Sequence, residues 1–142
     1  MKFYPLETQS IYLGKPVLSN NNICFVTNHS SDTVVQFGGW WQELNIDSVT
    51  HSLVSFEAIF AQDEIKKASL VIPASLNAKI TVDSISDDHK SLKIYYDENN
   101  GWFCFGNKQY QGTGYQFATN TIAIINKNDL EAIFIKPCQK NE

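Results

Sequence analysis

Apolar runs along this chain are short, and clusters of Asn, Asp, Gly and Ser separate them. Within the runs, apolar and polar positions tend to alternate with a period of two, the mark of half-buried strands. Residues 91–106, SLKIYYDENNGWFCFG, are the clearest instance. There the runs 92–96 and 102–105 flank Asp97, Glu98, Asn99, Asn100 and Gly101. Asn and Gly tolerate the positive φ that a tight reversal demands, so this stretch predicts an antiparallel hairpin.

The rest of the chain repeats that grammar. Residues 11–13 read as an edge strand, and residues 23–27 and 33–37 as a hairpin around the polar turn 28–32. Gly38-Gly39-Trp40-Trp41 then interrupts the pattern. Adjacent tryptophans in a strand face opposite sides, so one of them lies exposed or beneath a covering loop. Residues 43–49 read as a short helical turn or a loop. In residues 51–60, Val54, Phe56, Ala58 and Phe60 alternate with Leu53, Ser55, Glu57 and Ile59. Continued through residue 67 the region also fits an amphipathic helix, but regular alternation and the Val and Phe content favour a strand followed by a polar turn.

A further strand is expected over residues 68–72, ended by Pro73, which lacks a ladder donor. Residues 79–85 read as a solvent-facing strand with Ile80 and Val82 on one face, closed by the turn at 87–90. After the central hairpin comes a polar loop at 107–114. A last hairpin then pairs residues 115–125 with 130–135 around 126–129. The expectation is all-β: an antiparallel β-sandwich or partly open β-barrel of about nine or ten short strands. It holds at most one short helix and forms a single β domain over residues 1–142.

Composition narrows the function. The net charge is −4, and the 11 basic side chains are all Lys, since the sequence contains no Arg. Nucleic-acid binders present a basic patch and favour the two-pronged guanidinium, so a nucleic-acid partner is not expected. No run approaches the roughly 20 apolar residues of a membrane span, and Pro5 and Glu7 break the apolar stretch that a secretion signal needs. Cys24, Cys104 and Cys138 are odd in number and widely spaced, which suits reduced thiols in a cytoplasmic protein.

Candidate chemistry is sparse. His29, His51 and His89 lack the spacing that sets two imidazoles on one ion, so no metal or other cofactor is expected. Cys24 and Cys104 sit inside apolar strands, where a thiol acts as a small buried hydrophobe, whereas Cys138 lies near the exposed tail. Glu57 is flanked by apolar runs and would have a raised pKa if buried, but it reads as the solvent face of a strand. The acids of the turns, Asp87, Asp88, Asp97 and Glu98, read as solvated. No nucleophile elbow, phosphate loop or zinc-protease motif occurs, so no catalytic residue is expected.

Aromatic residues beside glycines are the more unusual feature: Trp40, Trp41, Trp102, Tyr110 and Tyr115. Trp102 reads as core, whereas Trp41 and Tyr110 suit either packing or display. Together these features predict a non-enzymatic protein-binding module. Its most specific form is an immunity protein that neutralises a basic toxin domain in the bacterial cytoplasm, with electrostatic steering of the two partners. The expected partner contacts are Trp41, Asp87, Asp88, Asp97, Glu98 and Tyr110. The alternative is a carbohydrate- or small-ligand-binding module with Trp40, Trp41, Tyr110 and Tyr115 as its platform.

Overall fold

The computed structural model describes residues 1–38, 41–86 and 89–139. The protein is nearly all-β, a strongly curled open sheet that forms a half-barrel. Its strands are β1 (Phe3–Glu7), β2 (Lys15–Ser19), β3 (Asn22–Val26), β4 (Thr33–Phe37), β5 (Gln42–Asp47), β6 (Ser52–Ile59) and β7 (Ile65–Lys67). They continue with β8 (Ser75–Val82), β9 (Ile94–Asp97), β10 (Trp102–Gly106), β11 (Thr113–Ala118), β12 (Thr121–Asn126), β13 (Asp129–Ile135) and β14 (Cys138–Gln139). A 3-10 turn at Gln62–Glu64 is the only helical element among the described residues.

The sheet has two halves joined by β8. One half runs β14-β2-β3-β6 and continues from β6 through β5 to β4. The other runs β11-β12-β13-β10-β9-β7. β8 belongs to both: Ser75, Leu76 and Asn77 pair in parallel with β11, whereas Ala78–Val82 pairs antiparallel with β1 and Thr81 pairs with Ser52 of β6. The spatial order β3-β6-β5-β4, with the β3–β4 link crossing the end of the β5–β6 hairpin, is a Greek key.

The strand count exceeds the sequence expectation for local reasons. Residues 43–49, expected as a helical turn or loop, lie largely in β5, because Leu44 and Ile46 alternate with polar Glu43 and Asn45. Residues 115–125 are not one strand but most of β11 and β12, reversed at Thr119 and Asn120, where Asn120 adopts a left-handed backbone of φ 52°. Residues 11–13 form no strand, and Tyr12 makes a single bridge to Ala118. Residues 68–72 also form no strand and instead cross the outside of the sheet. Residues 51–67 resolve as β6, the 3-10 turn and β7, in agreement with the strand reading.

The inner faces of the two halves meet in one core. Phe56 of β6 packs edge-on against Phe105 of β10 with ring centroids 4.8 Å apart. Phe60 and Tyr96 close on Phe103 at 5.8 and 4.6 Å. The β9–β10 hairpin forms as expected: Gly101 reverses the chain at φ 79° and its N–H donates to the Asp97 carbonyl at 2.8 Å. Lys127 and Asn128, both left-handed at φ 50° and 66°, turn β12 into β13.

The Phe56–Phe105 contact ties the halves together, and both rings are fully buried. Phe56→Ala is expected to lower unfolding stability by about 3–5 kcal/mol in a urea titration. A loss below about 1 kcal/mol would mean that the halves are held by other contacts.

Candidate functional site

The residues singled out from sequence are dispersed in the fold. Asp97 requires a correction: it is buried at the end of β9 with 5% of its surface exposed, not solvated in the turn. Its carboxylate accepts the Leu70 N–H at 2.9 Å and the Asn99 N–H at 3.0 Å. Tyr110 is likewise engaged, since its hydroxyl donates to the Val71 carbonyl at 3.1 Å while its ring meets Phe134 edge-on at 5.4 Å. Glu98 is exposed and pairs with Lys67 at 3.4 Å. Trp40, Asp87 and Asp88 lie outside the described residues.

Asp97 and Tyr110 therefore pin one strap. Residues 68–74 run across the outer face of β10, β12 and β13, and Ala68 N–H donates to the Tyr96 carbonyl at 3.0 Å. Beneath the strap Leu70 packs with Cys104, Ile122, Ile124, Ala132 and Phe134, a second apolar cluster outside the main core. Trp102 and Tyr110 border it, whereas Tyr115 packs against the main core. Of the four platform aromatics, Tyr110 and Tyr115 thus pack against different clusters.

Among the described residues no such strap crosses the outer face of the other half, although Asn45 and Ser55 in its middle are buried. The register β4-β5-β6 places Val34, Asn45 and Ser55 in one outward row and Gln36, Glu43 and Glu57 in the next. Trp41 and Ile59 follow at the end of the face, where Ile59 N–H donates to the Trp41 carbonyl at 2.7 Å. Cys24 and Val26 of β3 extend the face sideways. Cys24 also corrects an expectation: it is exposed, because alternation turns Ile23 and Phe25 inward and Cys24 and Val26 outward. Cys104, by contrast, is buried as expected, and Cys138 is half-buried with its thiol 3.4 Å from the Pro16 carbonyl.

Glu57 anchors this face. β3 pairs with β6 only at Asn22 and Ile23, and beyond that point the Glu57 carboxylate replaces the ladder by accepting the Phe25 N–H at 2.9 Å. Its second oxygen accepts from Asn45 Nδ2 at 2.8 Å, and the same nitrogen donates to Ser55 Oγ at 2.9 Å. Directly across the ladder stands Glu43, a second acid. Like charges in facing positions destabilise a sheet, and the ion pairs found among the described residues all lie elsewhere. Burial first, and Glu57 second, push the Glu43 carboxyl above its ordinary value.

Other candidate chemistry does not assemble. His29 meets Tyr12 at a tilt with ring centroids 4.5 Å apart, His51 sits in a turn, and His89 lies against Phe37 at 5.1 Å. Among the described residues, no group of three or more His, Cys, Asp or Glu side chains could hold a metal ion. A broad cleft of about 630 Å³ beside Tyr12, Leu13, Val26 and His29 has neither a thiol nor a carboxylate among the described residues of its lining. No described helix is long and apolar enough to cross a membrane. Compared with known proteins, the chain matches no family model and no curated sequence.

Two titrations check this description. The Leu70 N–H, aided by Asn99 and Asn100, holds the Asp97 carboxyl below its ordinary value against the opposing effect of burial. An acid with a depressed folded-state pKa stabilises the fold above its unfolded value, and that contribution fades as pH falls through the folded value. Asp97→Asn is therefore expected to flatten the fall in melting temperature below about pH 4. It should also speed alkylation of Cys104, whose thiol burial pushes up to about 12. Unchanged Cys104 protection would mean that Asp97 does not hold the strap.

Glu43 has the opposite sign. Its raised pKa means that ionisation disfavours the folded state at neutral pH, and the penalty disappears as pH falls through the raised value. Glu43→Gln should raise the melting temperature at pH 7 and leave it unchanged below about pH 4. A lower melting temperature at neutral pH would contradict this account.

Proposed function

We propose that the protein is a non-enzymatic binding module that neutralises a basic protein partner through the outer face of β4-β5-β6-β3. In its most specific form it is an immunity protein that inhibits a toxin domain in the bacterial cytoplasm. One observation supports the reading: the outer face of one sheet half is sealed by the chain's own strap, while no described segment crosses the other, which displays apolar side chains around a buried Asn45–Ser55 pair. On that face, exposed Val26, Val34, Trp41 and Ile59 surround the Glu43–Glu57 couple, which makes no ion pair among the described residues.

A contiguous mixture of apolar side chains and like charges suits a partner that supplies the missing cations. The overall net charge of −4 has the sign that speeds encounter with a basic surface. The stability sacrificed by facing Glu43 with Glu57 also fits a binding role, since local rules tend to be broken at functional positions. Of the contacts expected from sequence, Trp41 belongs to this face, whereas Asp97 and Tyr110 serve the strap.

The test is capture from the native host with the purified protein as bait, alongside a Glu43→Lys variant. That substitution sets a cation opposite Glu57, so the variant should melt no lower than the wild type. The expected result is one basic protein recovered near one-to-one, released by salt and lost from the variant. Its expression alone should be toxic and co-expression of the wild type should rescue growth. Equal recovery by Glu43→Lys, or recovery of no protein while glycans raise the melting temperature, would refute the proposal.

A further inference from the structure

The open face ends in a concavity. A notch of about 360 Å³ is lined by Trp41, Ile59, Phe60, Ala61 and Glu64. Trp41 and Ile59, exposed by 45% and 43%, present apolar surface to it. Glu64, at the end of the 3-10 turn, is held in place because one carboxylate oxygen accepts the Ala61 N–H at 2.7 Å. Its other oxygen makes no hydrogen bond or ion pair within the described residues.

Register places the notch beside the acid couple. Trp41 lies two residues before Glu43 and Ile59 two residues after Glu57, on the same face of the sheet, a separation of about 7 Å along each strand. The notch therefore offers a half-exposed aromatic side chain, an aliphatic wall and a fixed carboxylate, with two further acids nearby. Aliphatic stems that carry a cation at the tip match this combination, because the stem packs on apolar surface while the head seeks charge and an aromatic face.

We infer that this notch is the anchor socket for one lysine or arginine side chain of a basic polypeptide partner. The methylenes pack between Trp41 and Ile59, and the charge meets the Glu64 carboxylate. Aromatic and arginine anchors supply a large share of the affinity in protein interfaces. The inference rests on the binding-module reading for the identity of the partner, but the socket itself is testable without one.

The probe is the capped tripeptide Ala-Arg-Ala, compared with the same tripeptide carrying citrulline, which matches arginine in shape but lacks its charge. Nitrogen–proton NMR spectra of the full chain follow the Trp41 indole and the Ile59, Ala61 and Glu64 amides. The arginine peptide is expected to shift these signals saturably at millimolar concentration, with the shifts suppressed by high salt, and the citrulline peptide is not. Trp41→Leu and Glu64→Gln should each weaken binding roughly two- to fivefold, the range of one exposed cation–π contact or one surface ion pair. The unaltered amide spectrum away from the notch shows that each variant is folded.

Equal shifts from both peptides, or saturable shifts confined to other surfaces, would overturn the socket. So would a captured partner that needs Glu43 but is retained undiminished by the Trp41→Leu, Glu64→Gln double variant. If the arginine peptide occupies the notch while no Glu43-dependent partner is captured, the binding-module reading fails and the cation socket stands.

Discussion

A β-sheet has two faces, and a sheet curled around one core buries only one of them. That constraint governs this protein. The inner faces of both halves converge on the Phe56–Phe105 contact, which leaves two outer faces to be dealt with separately. Over β10, β12 and β13 the chain lays residues 68–74 across apolar side chains and fastens them with Asp97 and Tyr110. Over β4, β5, β6 and β3 no described segment does the same. There Glu43, Glu57 and Gln36 stand among exposed apolar residues.

The two treatments use carboxylates for opposite ends. Asp97 is surrounded by backbone donors that favour its charge, so it reinforces the strap at neutral pH. Glu43 faces burial and a like charge, both of which disfavour its charge, so it loosens the region in which it stands. A sequence that satisfies one acid so fully and leaves another opposed is consistent with structural duty for the first and recognition for the second.

Much of the fold was legible because alternation with a period of two is a local signal. The β9–β10 hairpin, β6 and the β12–β13 turn follow from residues close in sequence. What escaped was decided by distant partners. β5 reads ambiguously alone and becomes a strand between β4 and β6, while residues 68–72 carry strand-like residues yet find no ladder. Asp97 looks like any turn acid until Leu70, from a separate segment, donates to it. Glu43 gave no signal by itself, because its significance lies in the cross-strand register that sets it opposite Glu57. Cys24 was misplaced because a run such as Ile23–Phe25 looks uniformly buried unless the alternation is carried through the thiol.

The double role of β8 has a consequence for how the chain reaches this state. β1, near the start of the chain, finds its ladder only with residues 78–82, and β2 receives β14 from close to the other end. Other strands meet near neighbours, as β2 with β3, β4 with β5, β5 with β6, β9 with β10, β11 with β12 and β12 with β13. On a ribosome, then, β1 must wait unpaired until β8 has emerged and one edge of β2 until β14 has, whereas the hairpins of both halves can form almost as they are made. Loop closure over such spans slows folding relative to locally wired chains, which places this protein among those that fold in milliseconds to seconds, on the order of other β-rich domains. The longest-lived vulnerability of the nascent chain is the exposed margin of its earliest strands.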